Sequence, residues 1–365
     1  MASGSAARLF CLDALRGLDI MLLVLGERLF IAANKVFNFP AAVAWQFDHP
    51  PWEGFTLWDM IMPLFIFMCG AAVPFALGKR LGTKGYWRHV LARVAILWFL
   101  GMLCQGRLAT LDALQINPFS NTLQAIAAGY LIAAAVLAVP GRAGRVAKWA
   151  VPIALALGYG ALTHFCGDYT PGGNFPQRVE TWIRLRILPA DSIMIDNSRY
   201  TWFLTTMMFG AMTLAGMNAT EMLRGPASPK AKFLRLAAFG GALLLFGLAI
   251  LPWVPSIKHI YTLSFVSSAM GICVLLLAAL YALTDVLGWR RGWGIVLLFG
   301  RCSLFAYVLS EFFGPVVDSF VQVLTKGFPH LFGESAATLL SAVVSVAAIV
   351  GCVWVWRKFR EVNHR

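Results

Sequence analysis

The chain has 365 residues, of which 59% are hydrophobic and only 13% are charged, and its formal net charge at pH 7 is +13. Soluble globular domains carry about 25% charged residues, so this composition excludes an ordinary water-soluble domain and indicates an integral membrane protein. Lipid cannot satisfy the hydrogen bonds of an open backbone. The predicted fold class is therefore all-α, a polytopic bundle of membrane-spanning helices.

Ten segments are apolar and long enough to cross a bilayer, since a helical span needs about 20 residues. The predicted spans are residues 13–34, 56–78, 86–106, 119–140, 147–166, 200–219, 232–252, 262–287, 294–316 and 337–357. The first segment carries several charged residues and lacks the ordered regions of a cleavable signal peptide, so we expect it to remain as a span. Residues 1–365 are expected to form a single transmembrane domain.

Basic residues are distributed unequally between the two alternating sets of loops. One set, together with both termini, holds most of them, including Lys79, Arg80, Arg142, Arg224 and Arg290. The positive-inside rule places these loops and the N- and C-termini in the cytoplasm. The positive net charge is thus interpreted as a topology signal, and no nucleic-acid partner is predicted.

The longest stretch between spans, residues 167–199, falls on the outer side and forms a long extracytoplasmic loop in this prediction. It contains a turn cluster, TPGGNFP, followed by ETWIRLRILPADSIMIDNSRY. Long loops between short ones are often functional, which predicts a lip over an external pocket. An amphipathic helix lying on the bilayer surface is the alternative.

A histidine lies in the short outer loop between the first two predicted spans. This residue is His49, and Asp59 begins the second span, while Glu27 lies about three helical turns beyond Arg16 near the outer end of the first. A histidine within reach of carboxylates can be oriented and made more basic. We therefore predict a catalytic group of Glu27, His49 and Asp59, with His49 as general base or nucleophile.

The spacing alone leaves other interpretations open. His49 also fits an ordinary loop histidine beside Trp52, and Asp59 fits a helix cap. A metal site of Asp48, His49 and Glu53 is conceivable, but no second histidine cluster accompanies it, so no metal is predicted. The seven cysteines form no CxxC pair and are expected to pack as small apolar residues. The other histidines are predicted to be interfacial: His89, His164, His259, His330 and His364.

Further polar residues lie within the apolar spans, where a charged side chain at the bilayer centre costs about 2.5–3.5 kcal/mol and usually faces a partner or water. Arg16 is three residues from both Asp13 and Asp19, a spacing that allows ion pairs closing the cytoplasmic end of the first span. A buried arginine such as Arg301 can clamp a phosphate, with a structural ion pair to another helix as the alternative. The other residues expected to face inward are Asn121, Gln124, Asn197, Arg199 and Glu311.

Two N-terminal stretches resemble the start of the heparan-alpha-glucosaminide N-acetyltransferase family and its bacterial relatives: LDALRGLDIMLLVLGERLF and DHPPWEGFTLWDMIMPLFIFMCGAAVPFAL. The matching positions are Leu12, Asp13, Arg16, Gly17, His49, Trp52, Gly54, Asp59, Pro63 and Gly70. Later segments, among them NTLQAIAAGYLIAA and LFGRCSLFAYVLSEFF, resemble the family as well. The resemblance covers most of the chain and is strongest over residues 10–78.

The resemblance implies a transmembrane acyltransferase. Such an enzyme takes an acetyl group from cytoplasmic acetyl-CoA, its co-substrate, and delivers it to an amine or hydroxyl of an extracytoplasmic glycan acceptor such as an amino sugar. The residue matching His49 is the catalytic histidine, which carries the acetyl group or deprotonates the acceptor. We expect location in a bacterial inner membrane, a homodimer, and acetyl-CoA contacts from Arg16, Asn121, Gln124 and Arg301.

Two positions depart from the family pattern. Glu27 stands where the family often has asparagine, which puts the acceptor or the chemistry in question, and a catalytically inactive scaffold is a further alternative. Ala125 follows Gln124 where arginine is usual, so Lys79, Arg80 and Arg88 are candidates for holding the CoA phosphates on charge alone. A transporter or flippase of a polar or lipid-linked solute is the alternative from another class, and it would use the charged residues within the spans.

Overall fold

The computed structural model describes residues 9–106, 108, 119–187 and 200–363. Within these ranges the regular elements are helices and no strand is present, which confirms the all-α prediction. The chain divides into two compact units. Unit 1 comprises residues 1–48 and 276–365, and unit 2 comprises residues 49–275. The single transmembrane domain expected from the sequence stays a prediction.

The α-helices are numbered here in chain order. The first eight are α1 (Phe10–Met21), α2 (Glu27–Phe37), α3 (Ala41–Trp45), α4 (Ile61–Ala76), α5 (Tyr86–Cys104), α6 (Thr122–Ala138), α7 (Gly141–Phe165) and α8 (Phe175–Ile187). The others are α9 (Thr206–Arg224), α10 (Pro229–Ala249), α11 (Leu263–Leu280), α12 (Gly294–Arg301), α13 (Ser303–Thr325), α14 (Phe328–Phe332) and α15 (Glu334–Asn363). One π-turn, Leu22–Gly26, joins α1 to α2, and a second, Tyr281–Val286, extends α11.

Seven helical segments in the described part of the chain are long and apolar enough to cross a membrane, so the protein is an integral membrane protein. Six of them coincide with predicted spans, while α6 is apolar but shorter. The predicted ninth span, residues 294–316, differs: α12 ends at Arg301, Cys302 leaves helical geometry, and α13 begins at Ser303. The count of ten and the cytoplasmic termini remain predictions.

Close contacts between helix backbones hold the core of unit 2 together. The central helix is α9, which is buried along most of its length. A Cβ added at Gly70 of α4 would lie 1.8 Å from the carbonyl oxygen of Thr213, and one added at Gly216 would lie 2.0 Å from that of Phe67. Small residues permit such close approach between membrane helices. The α4–α9 crossing therefore fixes the helix that follows directly after the turn carrying Asp59.

In unit 1, α1 and α12 cross in the same way. A Cβ at Gly17 would lie 2.0 Å from the carbonyl oxygen of Val296. The start of α1 is capped from a distant part of the chain, because the backbone N–H of Cys11 donates to the carboxylate of Asp285 at 2.9 Å. This bond satisfies one of the donors left free at a helix N-terminus. The bond to Asp285 thus anchors the first turn of α1, a helix that carries several charged residues.

The predicted outer loop, residues 167–199, contains the helix α8, whose polar side chains bond to each other and to a later segment of unit 2. Glu180 and Arg184 are buried, and Arg184 donates to Glu180 Oε1 through Nε at 2.9 Å and Nη2 at 2.8 Å. Glu180 Oε2 accepts the backbone N–H groups of Trp202 and Phe203 at 2.9 and 3.0 Å. Exposed apolar side chains, which favour the surface-helix interpretation, are Trp182, Leu185 and Ile187. Residues 188–199, including the predicted Asn197 and Arg199, lie outside the described residues.

Candidate functional site

The buried carboxylate of Asp59 holds the ring of His49. Asp59 lies in a single 3-10 turn, Trp58–Met60, that leads into α4, and its side chain is 0% exposed. Its Oδ1 is 2.7 Å from His49 Nδ1, and its Oδ2 accepts the backbone N–H of Thr56 at 3.2 Å. Because a carboxylate accepts, the Nδ1 of His49 is the donor in this contact, and in the neutral ring that tautomer carries its lone pair on Nε2. Asp59 thus both caps the turn and orients the imidazole.

Lys258 lies against the same pair, a contact that the sequence does not predict. Its Nζ is 3.3 Å from Asp59 Oδ1 and lies 3.3 Å and 3.4 Å from Nδ1 and Nε2 of His49. The residue is only 8% exposed. Burial lowers the pKa of Lys258, and the negative charge of Asp59 acts in the opposite direction. In the sequence, the feature that sets Lys258 apart is its place in a loop predicted to be extracytoplasmic, whereas most basic residues lie in the predicted cytoplasmic loops.

A tight turn sets the position of Lys258. The backbone N–H of Tyr261 donates to the carbonyl of Lys258 at 3.0 Å, and Tyr261 has a left-handed φ of 47°. An aromatic residue rarely adopts this conformation, so the surrounding contacts must hold it. The hydroxyl of Thr262 closes the turn by accepting the N–H of Ile257 at 3.0 Å. The backbone N–H of Gly54 donates to Ser256 at 2.9 Å and ties this turn to the loop of His49.

Aromatic rings pack along one side of the loop that carries His49. His259 is buried, and its ring lies 5.3 Å from that of Trp52 and 4.3 Å from that of Tyr200, measured between centroids. His259 is thus enclosed by protein side chains, and its position at the membrane interface stays a prediction. Trp52 Nε1 donates to the carbonyl of Tyr169 at 2.6 Å. This bond connects the His49 loop to the turn that precedes α8.

Two tyrosines adjoin the Asp59 carboxylate. Burial and the charge of Asp59 raise the pKa of Tyr200 to about 12. Burial, with the neighbouring Tyr200 and Asp59, raises the pKa of Tyr261 well above its usual range. Both side chains are therefore neutral phenols at physiological pH. They contribute no charge to the site.

The polar residues predicted for acetyl-CoA binding in α6 have structural partners. Asn121 is the N-cap of α6 and accepts the N–H of Leu123 at 2.9 Å, while Gln124 Oε1 accepts the N–H groups of Ser120 and Asn121 at 2.7 and 2.9 Å. This reciprocal arrangement is a capping box. Gln124 also lines a cavity of about 120 Å³ with aromatic walls, and its buried Nε2 has no hydrogen-bond partner among the described residues. Their role in cofactor binding stays a prediction.

The other predicted site residues belong to unit 1, whereas His49 and Asp59 belong to unit 2. Glu27 begins α2 and is exposed, and its place in the catalytic group stays a prediction. Arg16 pairs with Asp13 at 3.7 Å, but both carboxylate oxygens of the buried Asp19 lack a hydrogen-bond partner within the described ranges. Arg301, expected to be buried, is exposed at the end of α12 because the helix breaks there.

Among the described residues, no three His, Cys, Asp or Glu side chains are grouped so that they could hold a metal ion. The conceivable trio of Asp48, His49 and Glu53 is therefore not assembled as a metal site there. The chemistry that the contacts of unit 2 offer is that of an oriented, solvent-accessible imidazole beside a buried ion pair.

Comparisons with known proteins agree with the resemblance read from the sequence. Residues 8–146 match the model of a domain family of unknown function, DUF5009. Over 69 residues the chain is 35% identical to heparan-alpha-glucosaminide N-acetyltransferase of Mus musculus. This match covers 19% of the chain and 9% of the mouse protein, so the chain matches only a small part of that relative's length. The expected similarity to that family is confirmed.

Proposed function

We propose that the protein is a membrane-bound acyltransferase that moves an acetyl group from cytoplasmic acetyl-CoA to an amine or hydroxyl of an extracytoplasmic glycan, with an amino sugar as the preferred acceptor class. The similarity to a membrane N-acetyltransferase supports the reaction type. The basic loops, assigned to the cytoplasm by the positive-inside rule, support the side from which the anionic donor enters. We place the protein in a bacterial inner membrane.

The contact between His49 and Asp59 carries this proposal. Asp59 is fully buried, whereas the His49 side chain is 40% exposed and within reach of a substrate. In the ternary-complex route, Nε2 removes the proton from the acceptor as its nitrogen or oxygen attacks the thioester carbonyl. The tetrahedral intermediate then collapses, the carbon–sulfur bond breaks, and the departing thiolate takes the proton from the imidazolium. General base catalysis of this kind contributes about 10²–10⁴-fold.

A covalent route uses the same atom differently. Nε2 attacks the thioester carbonyl, the carbon–sulfur bond breaks to leave an acetyl-imidazole, and the CoA thiolate takes a proton from water. The acceptor then attacks the acetyl carbon, the bond from that carbon to Nε2 breaks, and the acceptor's proton passes to the hydroxide left in the first half. This route predicts that acetyl-CoA alone labels the protein, and that His49→Ala abolishes the labelling. The absence of any acetyl-enzyme with full turnover would select the ternary-complex route.

A transporter or flippase is the second candidate. The break between α12 and α13 at Cys302 is the observation that favours it, because discontinuous helices form the solute sites of many transporters. Thermal stability in the presence of acetyl-CoA separates the two. A ligand at 100 times its Kd stabilises the folded state by about 2.7 kcal/mol. Stabilisation by CoA and acetyl-CoA is expected for the enzyme and not for the transporter.

The decisive experiment is turnover by the purified protein in lipid nanodiscs. Acetyl-CoA is supplied with a panel of amino sugars and neutral sugars, and release of CoA thiol is measured for wild type, His49→Ala and His330→Ala. His330 is an exposed histidine of α14 and serves as the matched control. We expect turnover by wild type and the control alone. Equal turnover by His49→Ala would remove His49 from the mechanism.

A further inference from the structure

A groove with mostly apolar walls runs between the helices α7, α9, α10 and α11 of unit 2. Its volume is about 430 Å³, and ligand pockets usually have about 300–1,000 Å³. Ala211 and Ala215 lie at its base on the buried helix α9. Its lining includes one amide, Asn218, and one hydroxyl, Ser267, among apolar side chains. The Asn218 Nδ2 donates to the carbonyl of Lys148 at 2.8 Å. A ligand that fills this groove must therefore be largely hydrocarbon.

The two rims of the groove, on α7 and α10, repeat one spacing of residues. The lining residues of these helices are Trp149, Pro152, Ile153, Ala156 and Leu157 on α7 and Phe239, Ala242, Leu243 and Phe246 on α10. The rings of Trp149 and Phe239 meet edge to face with their centroids 5.5 Å apart, so the two residues lie at one level. From Trp149 to Leu157 the groove is about 12 Å long. Half of a hydrocarbon core is about 15 Å thick, so this length suits one lipid chain.

Basic side chains continue both rims beyond the aromatic pair. Four positions, each four or seven residues before Trp149 or Phe239, hold Arg142, Arg145, Lys232 and Arg235. Residues at these intervals share one face of a helix, so the four cations are aligned with the lining residues. The three arginines are exposed, and none of the four cations forms an ion pair among the described residues. One end of an apolar groove is therefore positively charged.

The acidic residue near this end does not cancel that charge, because Lys148 Nζ lies 2.5 Å from Oε1 of Glu221 and pairs with it. The positive-inside rule accounts for basic residues at this end of the helices, but not for their place on the faces that border the groove. We propose that the groove binds a chain of an anionic phospholipid of the cytoplasmic leaflet, whose phosphate is held by Arg145 and Arg235. This role goes beyond acyl transfer and does not depend on it.

The selectivity of such a site comes from its charged end. Lipid tails surround the helices in any case, so a transfer of hydrocarbon out of water does not favour the groove. The chain gains van der Waals contact with the concave wall, and the arginines bind a phosphate through paired N–H donors. Arg145 and Arg235 lie one turn, about 6 Å, beyond the aromatic pair, which leaves the glycerol backbone of the lipid beside the two rings.

The test uses the full-length protein in detergent after removal of copurified lipid. Phosphatidylglycerol and phosphatidylcholine with identical palmitoyl and oleoyl chains are added in equal amounts, and native mass spectrometry counts the retained lipids. Wild type is compared with the double variant Arg145→Gln, Arg235→Gln. The matched control is Lys84→Gln, Lys230→Gln, which removes two exposed cations from the same predicted side of the membrane. Lys230 lies on the face of α10 opposite to Phe239, nine residues before it.

We expect wild type to retain phosphatidylglycerol over phosphatidylcholine by about 30-fold, the product of about fivefold for each of two basic side chains near an anionic headgroup. The arginine double variant should lose most of this preference, and the lysine control should keep it. Equal retention of the two lipids by wild type would overturn the proposal. A loss of preference as large in the lysine control would do the same, because it would show a diffuse effect of net charge.

The place of the chain is tested separately. Ala156→Phe fills the groove and should reduce the retention of both lipids, whereas Ala154→Phe, at an exposed position of α7 outside the lining, should not. If Ala156→Phe does not fold, Ala242→Phe in α10 makes the same change. Glycerophosphoglycerol, the headgroup without its chains, should not be retained at the same concentration. Retention of this headgroup, or undiminished retention of lipid by the filled variant, would overturn the assignment of the groove.

Discussion

The Nδ1 of His49 lies 2.7 Å from Oδ1 of Asp59, a carboxylate that is fully buried while the ring itself is partly open to solvent. The buried carboxylate can therefore orient the imidazole, while the exposed part of the ring stays accessible to a substrate. We expect Asp59→Asn to lower kcat by about 10²-fold or more with a smaller change in KM for acetyl-CoA, since a misoriented base loses most of its contribution. Steady-state kinetics in nanodiscs measure this effect.

The control for that substitution is Glu53→Gln, which removes an exposed acid from the same loop. It should leave kcat within twofold of wild type, an approximate bound on surface effects that follows from the small energies of exposed charges. A large loss in Glu53→Gln, or none in Asp59→Asn, would contradict the assignment of Asp59 as the orienting group.

The sequence alone could predict one part of this site and not the other. His49 and Asp59 are ten residues apart, on one loop and the helix that follows it, so their proximity follows from local chain geometry. Lys258 is 209 residues from His49, and only the tertiary fold of unit 2 brings its turn to the same place. No periodicity or spacing reports such a contact. A buried lysine is also rare enough that a loop position predicts exposure.

The fold likewise has features that the sequence predicts and features that it does not. Apolar runs predicted six of the seven candidate spans because hydrophobic length is a local property. The sequence does not predict the break at Cys302, although Gly300, Arg301 and Ser303 lie beside it, because the apolar runs on both sides are together long enough for one span. The sequence does not decide between a lip and a surface helix for α8, because its polar face bonds to distant residues, the N–H groups of Trp202 and Phe203.

The contact of Gly70 with Thr213 predicts a steric effect in the core of unit 2. A Cβ at Gly70 would lie 1.8 Å from a backbone oxygen, so the helices must separate to admit it. Gly70→Ala should destabilise the protein by about 1–3 kcal/mol, the usual cost of overpacking. Thermal unfolding in detergent measures the loss. Gly241→Ala in α10 is the control, since nothing lies within 4 Å of its added Cβ, and it should be neutral or stabilising.

The buried pair of Glu180 and Arg184 predicts a strongly unequal response to single and double substitution. Glu180→Leu leaves a 2%-exposed guanidinium without its carboxylate and should cost about 3–5 kcal/mol. The double variant Glu180→Leu with Arg184→Met removes both charges. It should recover much of that loss, apart from the cost of the freed N–H groups of Trp202 and Phe203. Unfolding midpoints give the comparison, and a double variant no more stable than Glu180→Leu would show that the pair is not coupled.

Lys258 predicts a dependence of stability on pH. Its pKa in the folded protein lies below the ordinary 10.5, chiefly because it is buried, so the unfolded chain binds more protons between those two values. The free energy of unfolding contributed by this group therefore rises with pH across that window and is flat below it. Lys258→Met removes the contribution, so its stability relative to wild type should fall as pH increases from 7 to 10. Chemical unfolding of both proteins at each pH measures the difference, with Lys230→Met, an exposed lysine at the start of α10, as the control that should show no such trend. A stability of Lys258→Met relative to wild type that stays constant, or rises, over this range would show that the pKa of Lys258 is not lowered when the protein folds.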